Sequence, residues 1–481
     1  MIDLKGRREL FWDTDILESF EGIMRTRHSP VYKNECFKCD APWESEHCCY
    51  GSSVRVGDEI RFYYRAENNE FNKKGLGIMC LATSRDGKTF EKKNIGTNSF
   101  DGSFENNIFH SEEREIDNFS VVYDTNPRCP ENERFKAVSL VSATVALEPE
   151  RLALYVSADG IKFEFKYFLA VEGNFDSHNV LFYDESIGKY RLYFRRVHYS
   201  DNTEFNGVIR EEAGLFLVRD VRLSFSEDLL TWTEPVRLDY GDDDMVQMYT
   251  NQIVKYPRAD VYVGFPTRYI DRRDDPKNFK YLSDKDGWRS KFLEIGSRGG
   301  TAITDCGFMY SKDGLHFKRE GNAFLSADYE QGNNWIYGDF YLAYGLVETE
   351  SDSVPGVMEY SFYTPYGYHT SAESFLRYTI RLDGFYSLHA DYTGGEFLTK
   401  PMTLGDTMKI NFKTSALGNV RIVILDEDGN PIEGYDSGNI FGNSTERPVE
   451  FERPLSNLSG KAVRLKFIMS DADVYSICCD I

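Results

Sequence analysis

The chain has 481 residues and a formal net charge of −22 at pH 7, which repels the phosphates of nucleic acids and of anionic membranes. Hydrophobic residues make up 41% of it, enough for a sizeable core, and no apolar run is long enough to span a bilayer. The first residues, MIDLKGRRELFWDTD, lack the apolar segment typical of a secretion signal. We therefore expect a folded, cytoplasmic protein with no nucleic-acid or membrane partner.

Four of the nine cysteines lie close together near the N-terminus, with His47 beside them. The CxxC pair Cys36 and Cys39 is followed by the adjacent Cys48 and Cys49. Cysteine and histidine are zinc ligands, but the second pair lacks the two-residue gap of common zinc motifs. The cluster is therefore either a zinc site or a set of buried thiols. The odd number of cysteines favours reduced thiols, and we predict no cofactor and assign no metal ligand.

A short motif recurs along the chain about every 70 residues. It reads Ser, any residue, Asp, Gly or Leu, two further residues, and an aromatic residue. Asp-Gly between alternating apolar runs is typical of a hairpin turn, because glycine tolerates positive φ. Three strands precede each turn, and the aromatic residue after the turn opens a fourth, outer strand. The copies begin at Ser84, Ser157, Ser226, Ser311 and, in degenerate form as RLDGFYS, at Arg381.

Five repeats of four strands predict an all-β fold with a five-bladed β-propeller over residues 1–391. The composition changes after Asp391. The stretches MKINFKTS, VRIVILDEDGNPI, RPVEFE and VRLKFIM then alternate apolar and polar residues between turn signals. They predict a C-terminal β-sandwich accessory domain over residues 392–481.

The alternating direction of strands in a blade separates two rims of the propeller. The start of strand one, the end of strand two and the start of strand three share one rim, which we expect to be functional. The Asp-Gly turns lie on the opposite rim, so their aspartates are predicted to form turns rather than to catalyse. These turn aspartates are Asp86, Asp159, Asp228, Asp313 and Asp383.

Acidic residues recur on the expected functional rim. Carboxylates crowded in a funnel shift one another's pKa, so one can serve as acid and another as base or nucleophile in glycoside hydrolysis. The catalytic candidates are Glu44, Asp117, Asp176 and Asp305. The substrate-binding candidates are His178, Arg195, Tyr249, Asn251, Arg268, Trp335 and Asp339. Further acids on this rim include Glu46, Glu67, Asp243 and Asp244.

Several stretches resemble the five-bladed propeller glycoside hydrolases of families 32 and 43, and most closely a set of bacterial family 32-like glycosyl hydrolases. They are FDGSFENNIF, MYTNQI, GFPTRY, LRYTIRLDGFYSLHA, GGEFLTKP and SDADVYS. The resemblance implies that blade one supplies a nucleophile or base, that Asp117 of blade two tunes pKa and orients substrate, and that a later blade supplies the acid. It leaves the base open between Glu44 and a neighbour, and the acid open between Asp176 and Asp305.

The NDPNG motif of invertases is absent from blade one, RDP is absent from blade two, and the EC motif of the acid is absent from the later blades, which argues against cleavage of sucrose or fructan. We therefore predict a glycosidase that cleaves a furanoside-type or related oligosaccharide. One alternative is a glycoside phosphorylase, in which Arg195, Arg196 and Arg268 would bind phosphate. Another is a carbohydrate-binding propeller without catalytic activity. The expected partner in each case is an oligosaccharide or glycoside.

Overall fold

The computed structural model describes residues 2–44, 47–66, 77–112, 116–141, 150–204, 215–242, 245–284, 287–330, 332–371 and 373–480. Strands dominate these ranges, and the predicted all-β class is confirmed. Their helical structure comprises one short α-helix, Trp288–Glu294, and the 3-10 turns Glu131–Glu133, Pro276–Tyr281, Arg298–Gly300 and Leu455–Leu458. None of the described helices is long and apolar enough to cross a membrane.

Three antiparallel sheets of four strands follow one another along the chain, each with its strands in chain order. Sheet I consists of Cys49–Val56, Glu59–Ala66, Gly77–Ser84 and Ile108–Glu112. Sheet II consists of Ile116–Tyr123, Phe135–Val141, Arg151–Ser157 and Glu164–Phe168. Sheet III consists of Val180–Asp184, Lys189–Tyr199, Leu217–Ser226 and Val236–Arg237.

Sheet IV follows the same plan but is divided into two parts. Its first part contains Gln247–Met248, Thr267–Asp271 and Ala302–Cys306. Its second part contains Val254–Lys255, Tyr262–Gly264, Met309–Ser311 and Lys318–Arg319. The division falls at Pro266, which has no N–H to donate to a ladder, and at Gly307, whose N–H donates to the Pro266 carbonyl over 2.8 Å.

Sheet V contains Val347–Glu350, Met358–Tyr366 and Ser374–Arg381, and its fourth strand comes from the N-terminus as Val31–Lys38. The expectation that the residues after RLDG form this outer strand is wrong. Tyr386–Ala390 instead pairs with Ile23–Arg27 and with the C-terminal strand Arg464–Asp480. The local motif could not reveal this exchange, because the replacing strand is about 340 residues away in the sequence.

The inner strands of the five sheets contact one another in a closed circuit. The contacts in chain order are Val121 N–H to Ser52 Oγ, Val122 with Val180, Asn251 Nδ2 to the His178 carbonyl, Gln252 Nε2 to the Leu342 carbonyl, and Ser53 N–H to the Tyr344 carbonyl. The last contact joins sheet V back to sheet I. The described sheets therefore surround a common centre.

The Ser-X-Asp-Gly motif forms the predicted turns. The Ser84 hydroxyl donates to Asp86 over 3.0 Å and accepts from Gly87 N–H over 2.9 Å, while Asp86 accepts from Lys88 N–H. The copies that begin at Ser157, Ser226 and Ser311 repeat this pattern. In these four turns the aspartate shapes the hairpin, as predicted.

The fifth turn aspartate, Asp383, is fully buried and has a different role. It accepts hydrogen bonds from Arg8, Arg258, Tyr256 and Ser476. Burial by itself would raise its pKa, but the charges of Arg258 and Arg8 outweigh burial and hold the pKa of Asp383 below its ordinary value. This carboxylate therefore joins sheet IV to the N-terminal and C-terminal strands.

The C-terminal strands form one large sheet with a separate apolar core. Strands from the N-terminus belong to it, although the sequence prediction assigned residues 1–391 to the propeller: Leu17–Glu21 pairs with Gly395–Thr399, and Ile23–Arg27 pairs with Tyr386–Ala390. The remaining strands of this sheet are Arg7–Leu10, Thr407–Leu425, Pro431–Ile440, Asn443–Pro448 and Arg464–Asp480. Ile2–Asp3 and Met402–Thr403 pair in a separate two-stranded sheet.

We expect Asp383→Ala to lower the free energy of unfolding by about 3–5 kcal/mol. The substitution removes the carboxylate that pairs with the largely buried guanidinium groups of Arg8 and Arg258. Asp260→Ala, which removes the exposed partner of Lys255, is the control and should change that free energy by less than about 0.5 kcal/mol. Urea unfolding monitored by tryptophan fluorescence measures both. Equal effects of the two substitutions would contradict a joining role for Asp383.

Candidate active site

Six tyrosine side chains meet at one edge of the circuit of sheets. Tyr50 lies near the start of the first strand of sheet I, and Tyr249 and Tyr269 belong to the first part of sheet IV. Tyr337 and Tyr341 precede sheet V, and Tyr368 follows its second strand. Tyr337 is half-buried and the other five side chains are buried. We call these residues the tyrosine cluster: Tyr50, Tyr249, Tyr269, Tyr337, Tyr341 and Tyr368.

The rings of the tyrosine cluster contact one another directly. Tyr341 stacks between Tyr50 and Tyr249, with ring centroids 5.5 Å apart in both pairs. The Tyr337 hydroxyl donates to the Tyr249 hydroxyl over 2.6 Å. Burial raises the pKa of Tyr50, Tyr337 and Tyr341 well above the ordinary value, so these phenols stay neutral. Five of the six rings are buried against one another, so the half-buried Tyr337 ring is the part of the cluster most open to a ligand.

Four arginine side chains lie over these rings. The Arg65 guanidinium is 4.9 Å from the centre of Tyr50, and that of Arg195 is 5.4 Å from Tyr249. Arg219 lies 4.7 Å from Tyr269, and Arg298 lies 5.4 Å from Tyr337. We call these residues the arginine group. Such stacking holds the cations in place while leaving N–H donors for a ligand.

Two carboxyl groups flank Arg195 at this edge. Asp176 lies 3.5 Å from the Arg195 guanidinium and its side chain is 43% exposed. Burial raises the pKa of Glu150 above its ordinary value; the charge of Arg195 opposes this shift and the charge of Asp176 adds to it. The two acids therefore have different environments within one site, one facing solvent and the other largely buried.

Glu150 was missed in the sequence analysis, although it stands immediately before the third strand of sheet II, Arg151–Ser157. The start of a third strand belongs to the rim that was expected to be functional. The same positional rule therefore indicates Glu150 in the sequence. Its Oε2 atom is buried and has no hydrogen-bond partner among the described residues.

Asp117 forms an ion pair with Arg65 of the arginine group. Arg65 also donates to Tyr368 Oη over 3.1 Å and to Cys49 Sγ over 3.2 Å. The chain bulges after Asp117, and its carbonyl accepts a hydrogen bond from Ser139 Oγ over 2.6 Å. Asp117 and Asp176 are thus both tied to the tyrosine cluster, each through an arginine.

Glu44 and Asp305, the other two acids expected to be catalytic, are not joined to this cluster. The Glu44 carboxylate is buried and accepts from Ala41 N–H, Tyr64 Oη and Lys92 Nζ, which occupy both of its oxygens. Asp305 forms two hydrogen bonds of 2.6 Å with Arg268. Because side chains alternate along a strand, this pair lies on the opposite face from Tyr269.

His178 and Asn251 lie beneath the cluster, in the contacts between inner strands. His178 Nδ1 is 2.7 Å from Gln252 Nε2, and its Nε2 is 3.3 Å from Ser52 Oγ. Burial lowers the pKa of His178 to about 3, so its ring is neutral near pH 7. Asn251 Nδ2 donates to the His178 carbonyl over 3.4 Å. Both side chains are engaged in holding neighbouring sheets together.

Trp335 and Asp339 lie on the segment that precedes sheet V. The Trp335 indole donates to the Asp328 carbonyl over 2.8 Å, and its ring lines a cavity of about 620 Å³ together with Asp305 and Arg268. Burial raises the pKa of Asp339 to about 7, and its carboxyl accepts from Ile336 N–H over 3.0 Å. Glu46, Glu67, Asp243 and Asp244 lie outside the described residues.

A separate group of possible metal ligands lies between sheets I and V. It consists of the Sγ atoms of Cys39 and Cys48 and a carboxylate oxygen of Glu373, all within 4.8 Å of one another. All three residues are buried. Cys36 and Cys49, the other two cysteines of the N-terminal cluster, do not belong to this set.

Comparison with known proteins finds similarity to solved structures at low sequence identity and low TM-score. No family model matches the chain, and no curated protein matches it. One solved glycoside hydrolase shares 13% identity over 73% of this chain and 92% of its own, with a TM-score of 0.43. An N-acetylgalactosamine deacetylase from F. plautii, in complex with blood group B trisaccharide, shares 12% identity over 93% and 95%, with a TM-score of 0.43. The Penicillium chrysogenum alpha-L-arabinanase complexed with arabinobiose shares 12% over 75% and 99%, with a TM-score of 0.42.

The buried, neutral state of His178 predicts a pH dependence of stability. Its pKa in the folded protein lies below that of an unfolded histidine, so the unfolded chain binds more protons between about pH 6.5 and pH 3. Stability should therefore fall on acidification through this window, by up to about 1.4 kcal/mol per pH unit from this residue. His178→Gln should remove that part of the slope.

The measurement is urea unfolding of both proteins between pH 7 and pH 4. His316→Gln is the control, because His316 is exposed and its hydrogen bond to Asp313 raises rather than lowers its pKa. A His178→Gln protein with the same pH slope as the wild type would show that His178 is not held neutral.

Proposed function

We propose that sheets I to V are the blades of a five-bladed β-propeller, closed by the N-terminal strand Val31–Lys38. The recurring turn motif, the four-stranded sheets and the closed circuit of inner strands support this reading. We further propose that the C-terminal sheet, including the N-terminal strands from Arg7 to Arg27, is a β-sandwich accessory domain.

The tyrosine cluster would lie on one rim of this propeller. Its members come from the start of first strands and the end of second strands, which are the positions expected to share a rim. The half-buried Tyr337 ring and the neutral phenol hydroxyls beside it suit the apolar faces and hydroxyl groups of sugars. The cluster is therefore the proposed carbohydrate-binding surface, and an oligosaccharide or glycoside is the proposed ligand.

We propose that the protein is a glycoside hydrolase that cleaves a furanoside-type or related oligosaccharide. The observation that carries this proposal is the pair of carboxyl groups, Asp176 and Glu150, beside the tyrosine cluster. Glycoside hydrolysis needs one protonated carboxyl and one carboxylate on opposite sides of the bond that breaks. The differing environments of Glu150 and Asp176 support such a division of roles.

Glu150 is the proposed general acid, because burial favours its protonated form. It would donate its proton to the glycosidic oxygen as the bond to the leaving group breaks. Asp176, held by Arg195, is the proposed carboxylate that attacks the sugar or removes a proton from water. Asp117 would act as a positioning residue that orients Arg65 toward the substrate.

The arginine group favours a second candidate, a glycoside phosphorylase, in which phosphate replaces water as the attacking group. Within the described ranges, Arg219 and Arg298 form no ion pair with a carboxylate, so both could bind phosphate. Two of the three phosphate ligands expected from the sequence, Arg196 and Arg268, fit this role less well. Arg196 pairs with Glu204, and Arg268 is held by Asp305.

Glu150→Gln should lower kcat at least about a hundredfold, since it removes the proposed proton donor while keeping the shape of the side chain. Wild-type activity should also fall as pH rises through the raised pKa of Glu150, and the variant should lack that decline. Turnover of aryl furanosides and of plant or bacterial oligosaccharides provides the assay. Asp305→Asn is the matched control and should retain most of the activity.

The same assay run with and without phosphate separates the two reactions. A hydrolase releases free sugar in buffer without phosphate, whereas a phosphorylase needs phosphate and forms a sugar phosphate. In the second case Arg298→Gln should raise the KM for phosphate more than that for the glycoside. Saturable sugar binding without bond cleavage under either condition would contradict both enzymatic candidates and favour a carbohydrate-binding propeller.

A further inference from the structure

Cys39 and Cys48 are close in sequence and Glu373 is distant from both, but the three residues meet at the point where the circuit of sheets closes. Cys39 immediately follows the N-terminal strand Val31–Lys38, which is the outer strand of sheet V. Cys48 immediately precedes the first strand of sheet I. Glu373 immediately precedes the third strand of sheet V. A bond among these three side chains would therefore fasten sheet V to sheet I.

The backbone already holds these residues in place. Cys39 N–H donates to the Glu373 carbonyl over 2.9 Å, and Cys48 N–H donates to Glu373 Oε2 over 2.7 Å. The two Sγ atoms and a Glu373 oxygen lie within 4.8 Å of one another. Zinc binds sulfur and oxygen ligands at about 2.0–2.3 Å, so small side-chain adjustments would bring all three donors to one ion.

Glu373 provides an independent indication of a ligand. Its side chain is buried, with 3% of the residue exposed, and its Oε1 atom has no hydrogen-bond partner among the described residues. A buried carboxyl oxygen without a partner is costly in free energy. Two thiols beside it cannot supply strong donors, whereas a divalent cation would satisfy the carboxylate fully.

We propose that Cys39, Cys48 and Glu373 bind one zinc ion that joins sheet V to sheet I. Binding releases the two thiol protons and the carboxyl proton to solvent, so the ligand set carries three negative charges against two on the ion. Lys92, which pairs with the neighbouring Glu44, supplies a nearby positive charge. One tetrahedral position remains for a further ligand. The site is independent of the proposed reaction.

This set differs from the one that the motif suggests. The CxxC spacing of Cys36 and Cys39 predicts that both bind, but Cys36 lies outside the set of donors. Side chains alternate along a strand, so two cysteines three residues apart at the end of Val31–Lys38 need not face the same way. Glu373, which no cysteine motif could indicate, takes the third place.

The test measures zinc in the full-length protein after incubation with zinc sulfate and gel filtration, by elemental analysis. We expect about one zinc per chain in the wild type and in Cys36→Ser, which is the matched control. Cys39→Ser and Cys48→Ser should lose at least about nine-tenths of it, because thiolates supply most of the affinity. Cobalt in place of zinc should give the absorption of a tetrahedral thiolate complex in the wild type and in Cys36→Ser, but not in Cys39→Ser or Cys48→Ser.

A second readout covers the case in which the cysteine variants fail to fold. Removing zinc from the wild type with a chelator should lower its thermal midpoint, since binding stabilises the folded state. Glu373→Gln keeps the acceptor for Cys48 N–H and should show a smaller shift. The proposal is overturned if folded wild type binds no zinc, if Cys36→Ser loses zinc as Cys39→Ser does, or if mass spectrometry finds Cys39 and Cys48 joined in a disulfide.

Discussion

The closure of five sheets into a circuit is the constraint on which the rest of this structure depends. Each inner strand must contact the next, and the last must contact the first, through pairs such as Ser53 and Tyr344. Sheet V completes its four strands only by recruiting Val31–Lys38 from the N-terminus. Closure therefore couples an N-terminal strand to Ser374–Arg381, and loosening this strand would expose the edge of sheet V.

That constraint also assembles the candidate active site. Sheets I to III contribute the acids and three of the four arginines, whereas sheets IV and V contribute most of the tyrosines. No two of these sheets could form the site alone. The inner contacts of His178 and Gln252 lie beneath the tyrosine cluster and fix the spacing of its walls. The contacts that stabilise the centre and the residues of the candidate active site thus lie on the same sheets.

Asp383 illustrates how one motif serves two purposes. Four copies of the turn aspartate hold exposed hairpins through local hydrogen bonds. The fifth copy keeps the Asp-Gly pair, with Arg381 in place of the serine, but its aspartate is buried against Arg8 and Arg258, where it joins the sheets to the C-terminal core. Its surroundings, rather than its motif, determine its contribution, because a buried ion pair depends on partners that are distant in sequence.

The sequence by itself determined the all-β class, the four-stranded repeats and the turn aspartates, because period-two patterns and Asp-Gly turns act locally. It also named Asp117 and Asp176, which are tied to the tyrosine cluster through Arg65 and Arg195. It could not determine that both carboxylate oxygens of Glu44 would be hydrogen-bonded to Tyr64 and Lys92. Nor could it determine that Glu150 would lie beside Asp176, or that residues 7–27 would join the C-terminal sheet. Those outcomes were decided by tertiary structure, since burial and long-range strand pairing depend on which distant segments meet.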